Sequence, residues 1–468
     1  MAQGIKKNQI IRTDITDLTD LGFGVGRVGG VVIFISDTVP GDVVEARVIK
    51  VNSSYMVGRV ENFIERSPLR VDGRCPEGGC KSCAYRGISY AHELALKEEG
   101  VRRLFATEEL SHIRVAPIIG SPCELRYRNK AQYPVTRTKD GYAVGFFAPK
   151  SHRVTPVADC PLTPAVFSEI CRELCGFFAE LLLSVYDEER GEGLLRHVYL
   201  RRGEMSGEVL LTLVINGDSL PHGEQLVARI TARFPEVVGI LLNVNRDSTN
   251  VVLGDRFITL YGRDHIFDTL AGVRLKISAA AFYQVNHDGA ELLYAKAREL
   301  AAPEGSDTLL DLYCGAGSIG LSMADAVGEL YGIEIIPSAV ECARENAAAS
   351  GITNAHFFTG DAKNTERMLE GAERALGKEI HPDIVVLDPP RAGCDEELLR
   401  FVASLSPRKI VYISCNPKTL ARDITRLIPL GYDTDEVTPV DMFPMTGHVE
   451  SVVRLERRLD NELRERMN

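Results

Sequence analysis

No apolar run in this 468-residue sequence approaches the roughly eighteen residues that a membrane span needs. The N-terminal stretch MAQGIKKNQIIRTD lacks a secretory hydrophobic region. A soluble, cytoplasmic protein is expected. Nor is there an excess of positive charge: 54 Lys and Arg stand against 65 Asp and Glu, a net charge of −11. That balance speaks against indiscriminate coating of nucleic acid and leaves basic faces to be sought segment by segment. Without an export signal, the eleven cysteines read as reduced thiols, metal ligands or a catalytic thiol rather than a disulfide framework. What is present is a globular composition, 45% hydrophobic and 25% charged, in a chain long enough for roughly two to four domains.

The most informative stretch runs from Asp383 to Val452. It holds Asp388-Pro389-Pro390-Arg391 after Ile-Val-Val-Leu, Ser414-Cys415-Asn416-Pro417 after Ile-Val-Tyr-Ile, and Met442-Phe443-Pro444-Met445-Thr446-Gly447-His448-Val449-Glu450 before Ser-Val-Val. The first two apolar runs are short, continuous and β-branched, which predicts strands buried on both faces of a parallel sheet. Ligands of open α/β sheets lie at the carboxyl ends of the strands, so Asp388 and Cys415 are expected on one rim. If the strand after Glu450 runs antiparallel, its beginning joins them. A thiol and two carboxylates then form a set for covalent catalysis with a base.

Residues 5–64 alternate short β-branched runs with glycine turns, the pattern of a small all-β barrel. Within it Gly24-Val25-Gly26-Arg27-Val28-Gly29 fits the dinucleotide string G-x-G-x-x-G, but a strand follows where a phosphate site needs a helix N-terminus. A hairpin is expected instead, and Thr38-Val39-Pro40-Gly41-Asp42 is a further turn. The pattern through Phe34-Ile35 to Arg59-Val60 resembles a TRAM domain, an oligonucleotide-binding (OB-type) barrel.

Cys75-Pro-Glu-Gly-Gly-Cys80-Lys-Ser-Cys83 follows, with a distant Cys160 in Asp159-Cys160-Pro161. Four thiols suit a metal, and spacing alone leaves zinc and a [4Fe-4S] cluster both open. Cys171 and Cys175, four apart on a predicted helix, read as small core hydrophobes. From Lys97 to Arg153 eleven Lys or Arg meet six Asp or Glu, with Tyr127, Tyr133 and Tyr142 interleaved. Basic side chains beside aromatics suit phosphate contact and base stacking, so an RNA surface is expected around Arg126-Tyr127-Arg128-Asn129-Lys130, with a solvated strand face as the alternative. Residues 161–275 show one helix and two apolar β runs, Glu208 to Ile215 and Val238 to Asn245, and read as scaffold.

Ala281-Phe282-Tyr283-Gln284-Val285-Asn286 opens the last unit, and a helix is expected from Asp288 to Leu300. Thr308 to Gly320 then gives a strand, the glycine loop Tyr313-Cys314-Gly315-Ala316-Gly317-Ser318 and a helix. Small residues let the backbone approach a cofactor there. Glu334 ends a second strand, placed for ribose hydroxyls, and Asp361 follows a third, placed for an adenine amino group. An acid at strand two with no phosphate-binding lysine favours S-adenosylmethionine over a dinucleotide.

Taken together, the barrel, the cysteine loop, Phe-Tyr-Gln-Val-Asn, Asp-Leu-Tyr-Cys-Gly-x-Gly, Asp-Pro-Pro-Arg, Ser-Cys-Asn-Pro and Met-Phe-Pro-x-Thr-x-His-Val-Glu span essentially the whole chain. They resemble the bacterial RNA (uracil-5-)-methyltransferases, within them the 23S ribosomal RNA members that carry a TRAM barrel and an iron-sulfur cluster. The resemblance implies an α/β fold: an OB-type TRAM barrel at 1–66, a central α+β domain at 67–275 with the cysteine loop and an RNA surface, a Rossmann-like methyltransferase domain at 276–458 and a tail at 459–468. It implies Cys415 as nucleophile and Glu450 as base, with Gln284, Tyr313, Ser318, Glu334, Asp361 and Asp388 at cofactor or target base. It makes Cys75, Cys80, Cys83 and Cys160 the ligands of a [4Fe-4S] cluster, although the first cysteine gap is one residue shorter than in many members. S-adenosylmethionine is the implied methyl donor, RNA the partner and a monomer the working form.

Overall fold

The computed structural model describes residues 5–458 apart from 73, 76–79, 81, 149–150 and 362–364. The expected tail at 459–468 lies outside the described residues. No helix among them is long and apolar enough to cross a membrane.

Five strands, Ile10–Leu18, Phe23–Val28, Val31–Ser36, Val43–Val51 and Tyr55–Glu65, close into a barrel. Burial alternates residue by residue along the first four, as half-buried strands require, and places Ile11, Ile15, Ile33, Ile35, Val44, Ala46 and Val48 inside. The glycine string is a hairpin: Gly29 and Gly30 take φ of 56° and 79° between the second and third strands. At the proline-glycine turn the buried carboxylate of Asp42 accepts from the Val39 and Ser67 amides and from Arg70, tying the barrel to the chain that follows.

Helix α1 (Tyr90–Phe105) leads to a seven-stranded sheet built from strands between Lys130 and Gly262. The expected apolar runs appear there as Val209–Ile215 and Val237–Val244. Two helices serve this sheet, where the sequence predicted one: Ala165–Glu180, which buries Cys171, and Gly223–Arg233. The second buries only Leu226 and Ile230, too short a stripe to stand out. A hairpin from His265 to Ser278 straddles the boundary expected at 275/276. Its Ile266, Leu270, Val273, Leu275 and Ile277 share a core with the third unit.

That unit begins with helix α2 (His287–Ala301) and the strands β1 (Thr308–Leu312), β2 (Glu329–Glu334), β3 (Ala355–Thr359), β4 (Ile384–Leu387), β5 (Lys409–Ser414), β6 (Glu436–Val440) and β7 (Glu450–Arg457). Their spatial order is β3-β2-β1-β4-β5-β7-β6, with Arg114–Val115 added beyond β6. Strands β1 to β5 pair in parallel, and β7 runs antiparallel to β5. Every residue of β4 and β5 is buried, as their unbroken apolar runs predict. The order reverses between β1 and β4, which opens a crevice at their carboxyl ends.

Candidate active site

Register gathers the predicted residues on one rim. Leu312 of β1 pairs with Ile333 of β2 and Leu387 of β4, so Tyr313, Glu334 and Asp388 each follow a paired rung. Ser414 of β5 pairs with Ser451 of β7, so Cys415 and Glu450 each lie one residue beyond that rung on neighbouring strands, close enough for the Glu450 charge to act on the thiol. The chain leaves β5 sharply because Asn416 caps helix α3 (Pro417–Leu427): its Oδ1 accepts from the Lys418 amide at 3.2 Å, and Pro417 takes the first helical position. The same side chain donates from Nδ2 to the Arg391 carbonyl at 3.0 Å, binding the Asp388-Pro-Pro-Arg391 turn to the Cys415 turn.

The electrostatics are those of a protonated, desolvated site. Burial, with the Asp388 charge behind it, pushes Glu450 up to about 8, and Glu450 is only 7% exposed. Burial alone carries Asp388 up to about 7. Burial and the charges of Glu450 and Asp388 push the Cys415 thiol up to about 11. The Arg391 guanidinium opposes the shift at both Cys415 and Glu450. It lies 3.1 and 3.2 Å from the two ring nitrogens of His448. Arg391, a cation four positions beyond the end of a buried strand, is a member of the site that its motif alone does not mark.

On the other half of the rim, Glu334 braces the glycine loop. Its Oε2 accepts from the Gly315 amide at 3.1 Å and its Oε1 from Ile336 at 2.9 Å. Gly317 has φ 79°, and a Cβ there would stand 3.1 Å from Phe357 and Leu321. Asp311, fully buried under the loop, accepts from the Gly320 amide at 3.0 Å and is pushed up to about 8 by burial. Its other carboxylate oxygen has no hydrogen-bond partner. Ser318 bonds the Tyr294 hydroxyl of α2 at 2.8 Å, and the Gln284 side chain meets the same hydroxyl. Tyr294 is thus a bridge that the sequence did not announce. Asp361 follows β3 through Gly360, whose amide donates to the Glu334 carbonyl. Asn286 explains the end of its motif: it caps α2, accepting from Gly289 at 3.0 Å, and donates to the Met442 carbonyl at 2.9 Å and Ser121 at 3.1 Å.

The four cysteines come together at a second place, against the loop that precedes Glu450. Cys75, Cys83 and Cys160 pack against Tyr127, Leu162 and Met445. Burial pushes Cys83 up to about 12, with Cys160, Cys75 and Cys80 all adding to the shift. Among the described residues no three His, Cys, Asp or Glu side chains form a group able to hold a single metal ion. Cys123 is exposed and stands apart, its thiol 3.5 Å from Asp288.

The RNA surface expected around Arg126 to Lys130 needs correction. Tyr127 is 5% exposed, with its hydroxyl on the Pro444 carbonyl, and Tyr133 is 3% exposed against Thr163. Tyr142 bonds the Leu183 carbonyl and packs on Phe178. Arg126 is spent on Asp159. Aromatics that alternate with charges along a chain point opposite ways, and here the ring side is core.

A parallel sheet with an antiparallel seventh strand, a glycine loop after β1 and an acid after β2 defines a Rossmann-like S-adenosylmethionine-dependent methyltransferase, here joined to a TRAM barrel. Residues 256–458 match the tRNA (uracil-5-)-methyltransferase family and residues 6–60 the TRAM domain. An uncharacterized RNA methyltransferase of Halalkalibacterium halodurans is 40% identical over 97% of this chain and 98% of its own length. One from Bacillus cereus is 38% identical over 98% of both. The crystal structure of Pyrococcus abyssi tRNA (uracil-54, C5)-methyltransferase in complex with S-adenosyl-L-homocysteine superposes with a TM-score of 0.75 at 29% identity, covering 95% of this chain and 100% of that one. The chain belongs to the TRAM-bearing RNA (uracil-5-)-methyltransferase family.

Proposed function

We propose that this protein methylates carbon 5 of a uridine in RNA through a covalent adduct, with S-adenosylmethionine as donor. The observation that carries the reading is that Cys415 and Glu450 adjoin the Ser414–Ser451 rung at the carboxyl rim of the sheet, near enough for the Glu450 charge to act on the thiol. Carbon 5 of uracil is a weak nucleophile. The Cys415 thiolate adds to carbon 6, forming a C–S bond and moving the ring electrons toward carbon 5 as an enolate. Carbon 5 takes the methyl group as the donor's S–CH3 bond breaks, leaving S-adenosylhomocysteine. Glu450 removes the carbon 5 proton, the C–S bond breaks, and Cys415 leaves as thiolate.

The free thiol's raised pKa fits a nucleophile that ionises only when a substrate and a cation complete the site, and Arg391 is the resident cation. Asp388, with its proton retained near neutrality, is suited to hydrogen-bond the uracil imide and select against cytosine. For the donor, the glycine loop and the carboxylates of Glu334 and Asp361 fit a cationic, hydroxyl-bearing nucleoside. Tyr313, Ser318 and Gln284 line the same crevice. Uridine in folded RNA must leave its stack to reach this rim, which favours loop or single-stranded targets.

The donor set of Cys75, Cys80, Cys83 and Cys160 fits a [4Fe-4S] cluster. Burial and the neighbouring thiols raise Cys83, and a cluster, when bound, would hold such thiols as thiolates. The cluster would add a metal-thiolate brace between two distant parts of the chain. On this reading large-subunit ribosomal RNA is the target, and the barrel and the cysteine-bearing domain precede a methyltransferase unit that takes in the hairpin from His265 to Ser278. The Pyrococcus abyssi relative, which by its description acts on tRNA, favours transfer RNA as a second reading. Incubating the protein with methyl-labelled S-adenosylmethionine and separate 23S ribosomal and transfer RNA transcripts, followed by nucleoside analysis, tests both. Labelled 5-methyluridine from ribosomal RNA alone supports the first; from transfer RNA alone, the second; label on cytidine overturns both.

A further inference from the structure

The loop 441–449 joins β6 to β7 and delivers Glu450 to the rim. Val440 pairs with Glu450 across the β6–β7 ladder, so Asp441 adjoins the rung that holds the carboxylate. Asp441 is fully buried, and its Oδ1 accepts from Lys97 Nζ at 2.7 Å and from the Phe443 amide at 3.0 Å. Lys97 stands on helix α1, 344 residues earlier and outside the segment that matches the methyltransferase family. Its ammonium, also buried, donates to Glu93 at 2.8 Å and to the Phe443 carbonyl at 3.2 Å. Glu93 in turn accepts from the Met445 amide at 2.7 Å, and the Met445 carbonyl accepts from Tyr85 at 3.0 Å.

Met445 has φ 67°, a left-handed backbone that a side-chain-bearing residue keeps only when its surroundings hold it. Here both backbone groups are held from the α1 side. Around the pair, Arg74 completes the charge balance by donating to Glu93 at 3.3 Å and Glu124 at 3.0 Å.

We propose that Lys97 is a positioning residue for Glu450: one buried ammonium, bonded to both ends of the first turn of the loop, fixes the approach of the carboxylate to carbon 5. This rests on the reading of Glu450 as the base. Three donors on Nζ are matched by three acceptors, so the ammonium has one arrangement. Without it, Glu93 and Asp441 face one another as like charges in a desolvated site and part. The base then stands off the proton it must remove, while Cys415, held by β5 and the α3 cap, keeps its place. The defect is therefore confined to adduct breakdown.

The test uses the full chain as Lys97→Met, the milder Asp441→Asn, and Glu450→Gln as reference. Each is given methyl-labelled S-adenosylmethionine and 23S ribosomal and transfer RNA transcripts, and hydrogen exchange is followed across 441–449. For Lys97→Met the expected result is exchange in the loop faster by about tenfold or more, with β4 and β5 unchanged. Release of 5-methyluridine should fall by about tenfold or more while a denaturant-stable protein–RNA adduct persists on ordinary uridine, as in Glu450→Gln. KM for S-adenosylmethionine should stay as in the unaltered protein. Asp441→Asn, which keeps the Lys97–Glu93 pair, should show the same signature more weakly, and it serves if Lys97→Met fails to fold. Unchanged loop exchange in both variants overturns the proposal. So does a loss of turnover that only follows the unfolded fraction, with no persistent adduct. If Glu450→Gln itself accumulates no adduct, the base reading falls, and the exchange data still decide whether Lys97 holds the loop.

Discussion

The two thiol sites of this chain differ in company rather than in burial. Cys415 shares its rim with two carboxylates and the cation Arg391, whereas Cys83 shares its pocket with three other cysteines. Burial raises both thiols. At the rim the neighbours are two carboxylates and a cation, the company that the proposed covalent role requires. In the quartet each neighbour is another soft donor, a set suited to a shared metal. A thiol's pKa in isolation therefore says little about its use, and its neighbours say most.

The comparison is broken first at the rim. With Cys415 as the proposed nucleophile, Cys415→Ala should remove methyl transfer altogether, a loss of about 10⁴-fold or more. Equilibrium binding of S-adenosylmethionine should persist, since the glycine loop, Glu334 and Asp361 lie on β1 to β3. A 5-fluorouridine RNA should give a denaturant-stable adduct with the unaltered protein and none with this variant. An adduct that maps elsewhere would sink the assignment. Glu450→Gln comes next, with turnover down by about 10²- to 10⁴-fold and adduct formation retained.

The quartet sharpens the contrast from the other side. Protein prepared without air should be brown, with a broad band near about 400 nm and iron and sulfide in proportion. Cys83→Ser should bleach it and lower the melting temperature, because Met445 and Tyr127 rest on these thiols. Residual turnover in that variant should exceed that of Cys415→Ala by orders of magnitude. Stoichiometric zinc without iron would replace the cluster reading.

How much of this was legible beforehand follows from how local each signal is. The β4 and β5 runs are continuous and β-branched, so buried parallel strands ending in Asp388 and Cys415 could be read directly, whereas an antiparallel β7 was only the condition for Glu450 to join the same rim, which the pairing with β5 meets. The helix Gly223–Arg233 was not legible because two buried residues make too faint a period. The basic run from Arg126 to Lys130 misled because counting charges does not say which way Tyr127 points, and the cysteine pocket claims it. The Lys97–Asp441 pair leaves no trace in either local segment: a lone lysine on a helix reads as a solvated charge until the fold brings the two segments together.

The smallest effect expected is also the one that separates catalysis from stability in the same residues. Glu450 must be ionised to act as a base, so turnover should rise with pH and level off above about 8, its raised value. Folding stability should move the opposite way. With folded values near 7 for Asp388 and 8 for Glu450, above the roughly 4 of an unfolded carboxyl, the native state binds more protons than the unfolded one between those limits. The slope of unfolding free energy with pH is then negative, so this contribution is fully present below about pH 4, declines through 7 and 8, and is lost above. Denaturant midpoints should accordingly fall between about pH 5 and 8 and level off above, and Glu450→Gln should flatten part of that fall. A midpoint that rises across this range, or a Glu450→Gln variant with an unaltered slope, would mean the carboxylate is already ionised in the folded rim, and the protonated character of the site would have to be given up.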